Sequence, residues 1–495
     1  MLITKNYLMV LTDENAPEQT VVAKDSNGRL LFRLQIRHTT AGPPFYLDVK
    51  RLKGQSVSFS CGESRFDFDG EADSMPAPAE QWQAQRPQMH YTVPYGWLND
   101  PNGLIFYNGR YHLFCQHNPL GTAWGNMHWH HSVTTDFIRF EHLGDALFPD
   151  EKGTAFSGSA ICDTNNVSGL GQNALLVYYT VAEYTDASRR PLFSQGLAYS
   201  VDGVHFTRYA DNPVVPNIRG ENRDPKVVFV PEADAYIMAL YLENDEYGLL
   251  RSDDLLHWSL FQTISIAGDS ECPDLYYLKD CGKWVLSGAS DYYIVGRFEK
   301  ERFVAEQEPH RWYRELDGRY SYAAQSFSGL GDSVLRLSWE NIHPENGQCF
   351  CGQMSLPMEM STVSLPDGTV RLKGCLFRKT EKQLATVYEG AVVDCVIEGA
   401  SYIADLRFDD DFTLSIDGTV LAISVKANTI ALGDKTIPLS MTGKRNIRLM
   451  VDSMSVEILA DDGLIFTCIR LVCSHHRRRL TALSGNASVT VRQIQ

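Results

Sequence analysis

The heptapeptide Trp97-Leu98-Asn99-Asp100-Pro101-Asn102-Gly103 holds a carboxylate between an amide residue and a proline. Pro101 disfavours the helical region for the residue before it, so Asp100 is predicted to be extended. Gly103 can adopt positive φ and is predicted to form a tight turn directly afterwards. The stretch therefore predicts a strand whose edge presents the Asp100 carboxylate.

Two other acids also lie beside prolines. Asp224 is followed by Pro225, and Glu271 lies two residues before Pro273. A single Asp-Pro step is as readily an ordinary turn signal. Three such acids, widely separated along the chain, predict instead a site at which carboxylates converge.

A repeated unit gives these acids a spatial arrangement. Between about residues 86 and 345, a serine or threonine at a strand end precedes an acid and then an aromatic residue, and three copies carry Asp136, Asp202 and Asp253. Units of roughly 50 residues with short strands are typical of β-propeller blades, and about 260 residues predict about five blades. The three acids beside prolines would each begin the inner strand of a different blade and meet near the propeller axis.

The flanking segments have different strand patterns. Residues 1–80 alternate in the period-two manner, as in Leu30–Ile36, and predict a small N-terminal β-module. Residues 365–495 contain short strands at regular intervals, such as 401–408, and predict a C-terminal β-sandwich. The predicted fold is all-β, with a five-bladed propeller over residues 86–345 between these two units.

Composition restricts the functional class. At 495 residues, two or three domains are expected. A net charge of −16 disfavours nucleic acid and anionic membrane as partners, and a small neutral substrate is expected instead. The apolar run at residues 8–11 is followed by two acids and does not resemble an export signal. Eleven scattered cysteines favour reduced thiols, so a cytoplasmic location is expected.

Converging carboxylates suit glycoside hydrolysis. Two acids flanking a glycosidic bond are sufficient, because one protonates the leaving oxygen while the other stays ionised and attacks carbon or activates water. A third acid can hold sugar hydroxyls. Arg223 is predicted to help keep the neighbouring Asp224 ionised. Trp97 and Trp124 would either flank a sugar ring or lie buried in the propeller.

These motifs jointly resemble the β-fructosidases of glycoside hydrolase family 32, which include invertases, levanases, inulinases and sucrose-6-phosphate hydrolases. The resemblance spans about residues 88–490 and does not obviously cover residues 1–80. Besides the heptapeptide, it rests on Cys115-Gln116-His117-Asn118-Pro119, Trp124-Gly125-Asn126-Met127-His128-Trp129, Phe156-Ser157-Gly158-Ser159, Arg223-Asp224-Pro225 and Glu271-Cys272-Pro273-Asp274-Leu275.

The resemblance implies a five-bladed propeller followed by a β-sandwich, and retaining hydrolysis of fructofuranosides without metal or cofactor. It implies that Asp100 is the nucleophile, that Glu271 is the general acid and then the base, and that Asp224 stabilises the transition state. The residues that it implies for fructose binding are Asn99, Gln116, Trp124, Ser157 and Arg223.

Two positions depart from the family pattern. Cys115 stands where an aromatic residue is usual, and His130 stands where glycine is usual. His130 shares a strand face with His128, so a metal site is conceivable, but no metal is predicted. The alternative is that His130 alters packing or the substrate pocket beside Trp124.

The predicted function is release of terminal fructose from sucrose, fructo-oligosaccharides and short levan- or inulin-type fructans. The alternatives within the family are an endo-levanase, a sucrose-6-phosphate hydrolase and a fructosyltransferase. An inverting arabinofuranosidase on a similar propeller and a non-catalytic fructan-binding protein are the alternatives outside it. Residues 1–80 are expected to pack on the propeller, to form a homo-oligomer interface or to bind glycan.

Overall fold

The computed structural model describes residues 1–184, 192–345, 347–439, 446–473 and 477–495, which are folded almost entirely as β-strands. Within these ranges the strands form nine sheets, arranged along the chain as two, five and two. No helix in the described ranges has the length and apolar character needed to cross a membrane.

The N-terminal β-module consists of two small sheets. Its strands are β1 (Tyr7–Leu11), β2 (Gln19–Lys24), β3 (Leu30–Ile36), β4 (Pro44–Asp48), β5 (Ser58–Cys61), β6 (Ser64–Arg65) and β7 (Gly70–Ala72). One sheet has the order β4-β1-β7 and the other β3-β2-β5-β6. Along β3, Phe32, Leu34 and Ile36 are buried while Arg33 and Gln35 are exposed, which is the predicted alternation.

The central unit comprises the five following sheets. Its strands are β8 (Gly96–Tyr107), β9 (Arg110–Asn118), β10 (His128–Thr134), β11 (Phe140–Leu147), β12 (Gly153–Asp163), β13 (Ala174–Glu183), β14 (Phe193–Ser200), β15 (Thr207–Arg208), β16 (Arg223–Val230), β17 (Ala235–Glu243), β18 (Glu246–Ser252), β19 (Ser259–Ser265), β20 (Asp274–Leu278), β21 (Lys283–Ser287), β22 (Tyr292–Glu299), β23 (Arg302–Ala305), β24 (His310–Arg311), β25 (Ser321–Ser326), β26 (Val334–Glu340), β27 (Phe350–Cys351), β28 (Gln353–Met354), β29 (Met358–Ser364) and β30 (Val370–Leu376).

These sheets form the predicted five-bladed propeller. Strands β8, β12, β16, β20 and β25 are the first of their sheets, contact one another in that order, and close the ring where β25 meets β8. The ring is also held by β27, which pairs parallel to β8 through Phe350 with Gly96 and Cys351 with Trp97. The inner strands therefore surround a common axis.

The C-terminal unit is the predicted β-sandwich of two six-stranded sheets, ordered β31-β42-β33-β38-β39-β40 and β32-β41-β34-β35-β36-β37. Its elements are helix α1 (Arg378–Glu381) and strands β31 (Leu384–Ala391), β32 (Asp394–Glu398), β33 (Tyr402–Phe408), β34 (Phe412–Ile416), β35 (Thr419–Ser424), β36 (Thr429–Leu432), β37 (Lys435–Pro438), β38 (Asn446–Val451), β39 (Ser455–Ala460), β40 (Ile465–Arg470), β41 (Arg477–Ser484) and β42 (Ala487–Ile494). Short 3₁₀ turns lie at Lys50–Leu52, Glu80–Trp82, Pro231–Ala233 and Asp461–Gly463.

The predicted boundary between propeller and sandwich needs correction. Strands β29 and β30 form the outer edge of the fifth blade, so the propeller extends to Leu376 rather than to residue 345. The sandwich sheets begin at Leu384 rather than at residue 365. The long connection that carries β27 back to the first blade separates the inner and outer halves of the fifth blade and obscures its period in the sequence.

The acid of the third repeat is also corrected. Asp136 and Asp202 each accept backbone N–H groups from residues two and three positions later, which closes the outer hairpin of a blade. In the third copy Asp254, not Asp253, accepts the N–H groups of Leu256 and His257. The repeated element is therefore a serine or threonine followed two positions later by the capping acid.

Several polar contacts join the module to the propeller, among them a reciprocal pair of hydrogen bonds between Gln35 and Asn126. The Gln35 N–H donates to Asn126 Oδ1 at 2.7 Å, and Asn126 Nδ2 donates to the Gln35 carbonyl at 2.7 Å. Tyr95 and Leu120 of the propeller are buried in the apolar core of the module. Of the three roles expected for residues 1–80, the structure shows packing on the propeller.

A buried polar group joins the propeller to the sandwich. The His90 imidazole donates from Nδ1 to Asp452 Oδ2 at 2.9 Å, and its Nε2 lies 3.6 Å from Glu457 and 4.0 Å from Glu340. Although burial opposes it, the carboxylates of Glu457 and Asp452 hold the pKa of His90 well above its ordinary value. The two units are therefore joined by buried charge as well as by apolar packing.

Candidate active site

A cavity of about 200 Å³ lies where the inner strands begin. All eight residues predicted for the site line this cavity, namely Asn99, Asp100, Gln116, Trp124, Ser157, Arg223, Asp224 and Glu271. Met127, Phe156, Cys272, Tyr322 and Trp339 complete the lining. Met127, Phe156 and Cys272 lie within the family motifs but have no role predicted from sequence, and Tyr322 and Trp339 lie outside those motifs.

Asp100 lies within β8 at an irregularity of the ladder. The register shifts between Leu98 and Pro101 and again between Asn102 and Ile105, so the predicted tight turn at Gly103 is a bulge inside a continuous strand. Gly103 has φ +54°, as the expected positive φ requires. The bulge turns the Asp100 side chain toward the axis without ending the strand.

The Asp100 carboxylate is held by hydroxyl and thiol groups. Ser157 Oγ donates to Asp100 Oδ2 at 2.6 Å, and Cys272 Sγ lies 3.5 Å from the same oxygen. Burial, opposed by these hydrogen bonds and reinforced by the charge of Glu271, raises the pKa of Asp100. When Asp100 is ionised, its carboxylate is therefore shielded from water, and its Oδ2 is held in place by Ser157 and Cys272.

Asp224 is the second residue of β16 and has φ +63°, a left-handed conformation uncommon for residues other than glycine. Its backbone N–H donates to Thr180 Oγ1 at 2.8 Å, and its Oδ2 accepts the Cys272 N–H at 3.1 Å. Burial raises the pKa of Asp224 to about 7, although Arg223 acts in the opposite direction. The charge of Arg223 acts in the predicted direction, in favour of the ionised form, but burial outweighs it.

Arg223 pairs more closely with Glu271 than with its neighbour. Its Nη2 donates to Glu271 Oε1 at 2.6 Å, whereas its Nε lies 3.9 Å from Asp224 Oδ2. The Tyr322 hydroxyl donates to the other oxygen of Glu271. Glu271 also has positive φ, +58°, so its side chain is fixed by the backbone and by partners at both oxygens.

Cys272 lies between Asp100 and Asp224. Its Sγ is 3.4 Å from Asp224 Oδ2 as well as 3.5 Å from Asp100 Oδ2, and its φ is +36°. Burial, together with the three nearby carboxylates, raises the pKa of the thiol well above its ordinary value. Cys272 is thus a neutral hydrogen-bonding spacer between two carboxylates.

The remaining lining residues form the walls of the cavity. Trp124 is 59% exposed and packs edge-on against Phe156 with ring centroids 5.8 Å apart. Trp97 is buried and donates from Nε1 to Asn99 Oδ1 at 2.8 Å. Of the two tryptophans considered from sequence, only Trp124 lines the cavity.

The two departures from the family pattern lie away from this cavity. Cys115 is fully buried in the core of the first blade. His130 lines a different cavity, beside the N-terminal module, where its Nδ1 is 3.1 Å from Asp145 Oδ1. His130 therefore affects packing, and the alternative that it borders the substrate pocket beside Trp124 is wrong.

Groups able to bind metal also lie elsewhere. In the described ranges, two sets of three side chains bring ligand-type atoms within 4.8 Å of one another: His117, His130 and Asp145, and His90, Glu340 and Glu457. Neither set lines the cavity that holds Asp100.

Comparison with known proteins shows the family to which this chain belongs. A family model described as the N-terminal domain of glycosyl hydrolases family 32 matches residues 90–372. A levanase of Bacillus subtilis is 30% identical over 476 residues, covering 83% of this chain and 69% of the levanase. A sucrose-6-phosphate hydrolase of Zymomonas mobilis is 28% identical over 444 residues, covering 76% of this chain and 84% of that protein.

A solved structure gives the same result at the level of the fold. The β-fructofuranosidase of Bombyx mori superimposes with a TM-score of 0.70 at 25% identity, covering 83% of this chain and 94% of that one. The chain therefore belongs to glycosyl hydrolase family 32, whose members are β-fructofuranosidase-type glycosidases.

Proposed function

We propose that this enzyme is an exo-acting, retaining β-fructofuranosidase that releases terminal fructose from short fructosides. The observation that carries the proposal is the meeting of Asp100, Asp224 and Glu271, from three blades, in one cavity around Cys272. Levanase and sucrose-6-phosphate hydrolase are names of relatives of this chain, and they support a fructoside as substrate.

Asp100 is proposed as the nucleophile. Its ionised carboxylate attacks the anomeric carbon of fructose, so that a carboxylate–carbon bond forms as the bond to the leaving oxygen breaks. Ser157 Oγ and Cys272 Sγ both contact Oδ2, so Oδ1 is proposed as the attacking oxygen. Burial raises the energy of the charged nucleophile before reaction, and the attack relieves this cost.

Glu271 is proposed as the general acid and then the base. Its proton passes to the leaving oxygen in the first step, and in the second step the carboxylate removes a proton from the water that hydrolyses the fructosyl-enzyme. Arg223 and Tyr322 hold its two oxygens and thereby fix its position through both steps.

Asp224 is proposed to bind fructose hydroxyls and to stabilise the transition state. Its backbone conformation and the Cys272 N–H fix the carboxylate on the cavity wall. Asn99, Gln116 and Ser157 supply further polar groups, and Trp124 supplies an apolar surface for the ring.

Removal of the acids tests the proposal. Glu271→Ala is expected to lower kcat by at least about 10²-fold with the fold retained, because a positioned acid is worth that much. Asp100→Ala is expected to lower kcat further, because the fructosyl-enzyme can no longer form. Glu389→Ala, an exposed acid on the sandwich, is the control. Near-normal turnover of Glu271→Ala would overturn the assignment.

Product analysis separates the family alternatives. Release of free fructose from sucrose and short oligosaccharides identifies exo cleavage. Release of fructobioses and longer fragments identifies endo cleavage, and products longer than the substrate identify fructosyl transfer. Polarimetry of the first product is expected to show retained configuration, and inversion would favour the arabinofuranosidase-like alternative.

We further propose a cytoplasmic location and a homo-oligomeric state in which the N-terminal β-module takes part. The location is supported by eleven cysteines that are all free, five of them fully or nearly buried. With a net charge of −16, no nucleic acid or membrane is expected as a partner. Cell fractionation and light scattering of the full chain and of a chain beginning at residue 82 test these proposals.

A further inference from the structure

A second cavity adjoins the active site on the side of the N-terminal β-module. This junction cavity, of about 120 Å³, is lined by module residues 12–15, 18, 35, 37, 43 and 45 and by propeller residues 118, 120–126, 347 and 348. The two parts are held in register by the paired hydrogen bonds between Gln35 and Asn126 and by a 2.6 Å bond from Thr122 Oγ1 to Glu14 Oε1. The cavity exists only because the module is docked.

Trp124 connects the two cavities. It lines both the cavity that holds the three acids and the junction cavity. More than half of its side chain is exposed, although it lies among buried neighbours such as Asn126 and Met127. An exposed indole between two polar cavities offers each of them an apolar face on which a sugar ring can stack.

The module side of the junction cavity also lies close to the active-site wall. Burial first, and then the charge of Glu14, raise the pKa of the Cys351 thiol to about 12. Cys351 packs with Trp97 and Met127, and Met127 lines the catalytic cavity. Glu14, on the module side of the junction cavity, is therefore near the cluster of Cys351, Trp97 and Met127 that backs the catalytic cavity.

The charge of the junction cavity restricts its ligand. Among the described residues that line it, the acids are Asp13, Glu14 and Glu18, and the single basic side chain is Arg37. Arg37 is already engaged, because Nη2 lies 3.2 Å from Glu18 Oε2 and Nη1 donates to the Glu14 and Ala16 carbonyls. Such a lining accepts uncharged hydroxyl groups and repels a phosphate.

We propose that the junction cavity binds the uncharged sugar units on the leaving-group side of the substrate, and that it makes the enzyme select neutral fructo-oligosaccharides over phosphorylated ones. This inference rests on the proposed function for the identity of the sugar. It assigns the N-terminal β-module a role in substrate selection, through Asn15, Gln35 and the acids beside them.

The first test compares substrates with and without leaving-group sugars. The double variant Asn15→Ala, Gln35→Ala is expected to lower kcat/KM for 1-kestose about fivefold, because two hydrogen-bonding side chains are lost. For methyl β-D-fructofuranoside, which has no sugar there, kcat/KM should stay within about twofold. Asn27→Ala, an exposed asparagine of the same module outside the cavity, is the matched control. Equal losses on both substrates, or no loss on either, would overturn the inference.

The second test concerns charge. The wild-type enzyme is expected to cleave sucrose about tenfold more efficiently than sucrose-6-phosphate, because the phosphate adds negative charge beside the three acids. Glu14→Gln can keep the hydrogen bond to Thr122 and should reduce the ratio of kcat/KM for sucrose to that for sucrose-6-phosphate about threefold. The exposed control Glu63→Gln should leave this ratio unchanged. Preference of the wild type for the phosphorylated sugar would contradict the inference.

A binding measurement separates this inference from the proposed function. In an Asp100→Ala background, calorimetry with 1-kestose is expected to give a weaker Kd when Asn15 and Gln35 are also replaced. If the wild type releases no fructose but this difference in Kd is found, the proposed catalysis fails and the subsite stands. If fructose is released but Kd is unchanged, the subsite fails and the catalysis stands.

Discussion

At the scale of single residues, the site depends on acids whose charge the fold opposes. Asp224 has a buried carboxylate, a strained backbone and a pKa of about 7. Because this folded-state pKa lies above the ordinary value of 3.8, the protonated form favours folding at low pH. That contribution is lost as pH rises from about 4 to 7, and above this range the ionised carboxylate costs stability.

Asp224→Asn is therefore expected to raise the free energy of unfolding at pH 8 by about 1 to 3 kcal/mol while abolishing most activity. The gain should shrink as pH falls toward 5, where the wild-type residue is protonated. Urea unfolding at the two pH values measures it, with Asp253→Asn, an exposed acid, as control. A gain that does not depend on pH would contradict the assigned cause.

The three acids of the site were predictable from the sequence, whereas several of their neighbours were not. Asp100, Asp224 and Glu271 each lie in a recognisable motif that contains an acid beside a proline, so their convergence was predictable. The contacts of Cys272 with two carboxylates depend on positive φ at both Glu271 and Cys272, which no residue type there signals. Tyr322 and Trp339 reach the cavity from the fifth blade and lie in no motif recognised from the sequence.

At the scale of elements, the bulges of β8 decide where the nucleophile points. A Cβ at Gly103 would lie 2.8 Å from Phe114 and 3.1 Å from Trp129, and φ is +54°. The sequence predicted positive φ here but assigned it to a turn, because a bulge and a turn require the same glycine. Only the pairing of β8 with β9 on both sides of the bulge distinguishes the two.

Gly103→Ala is expected to lower the free energy of unfolding by about 2 kcal/mol or more and to reduce kcat, because the clash displaces β8. Gly109→Ala is the matched control, since its φ is +80° but a Cβ there would meet nothing within 4 Å. The control should lose only about 1 kcal/mol, with kcat unchanged. Equal losses in stability would show that backbone conformation alone, and not contact with Phe114, sets the requirement.

At the scale of the whole molecule, buried ionisable groups link propeller and sandwich. Burial first, and then the charge of Glu457, raise the pKa of Glu340 to about 8. Protonated Glu340 stabilises the folded protein. This contribution is fully present below the ordinary glutamate pKa of 4.5 and is lost as pH rises through the folded-state pKa of about 8. The stabilising charge on His90 is likewise lost as pH rises through its elevated pKa. Both effects weaken the interface in alkali.

The melting temperature is therefore expected to fall by several degrees between pH 6 and pH 9. Glu340→Gln should flatten this fall and raise the melting temperature at pH 9, because it removes a carboxylate that is costly to ionise. Differential scanning fluorimetry across this range measures the effect, with Glu389→Gln as control. A parallel fall in the variant and the wild type would exclude Glu340 as the cause.

The parallel pairing of β27 with β8 has a consequence for protein synthesis. Phe350 and Cys351 emerge from the ribosome only after the inner strands of all five blades, so the inner edge of β8 stays uncovered meanwhile. At about 5–20 residues per second, this interval is on the order of ten seconds or more. A translational pause before Phe350 and Cys351 have left the ribosome would leave the nascent strand that carries Asp100 open to intermolecular pairing, whereas a pause after they have emerged would not.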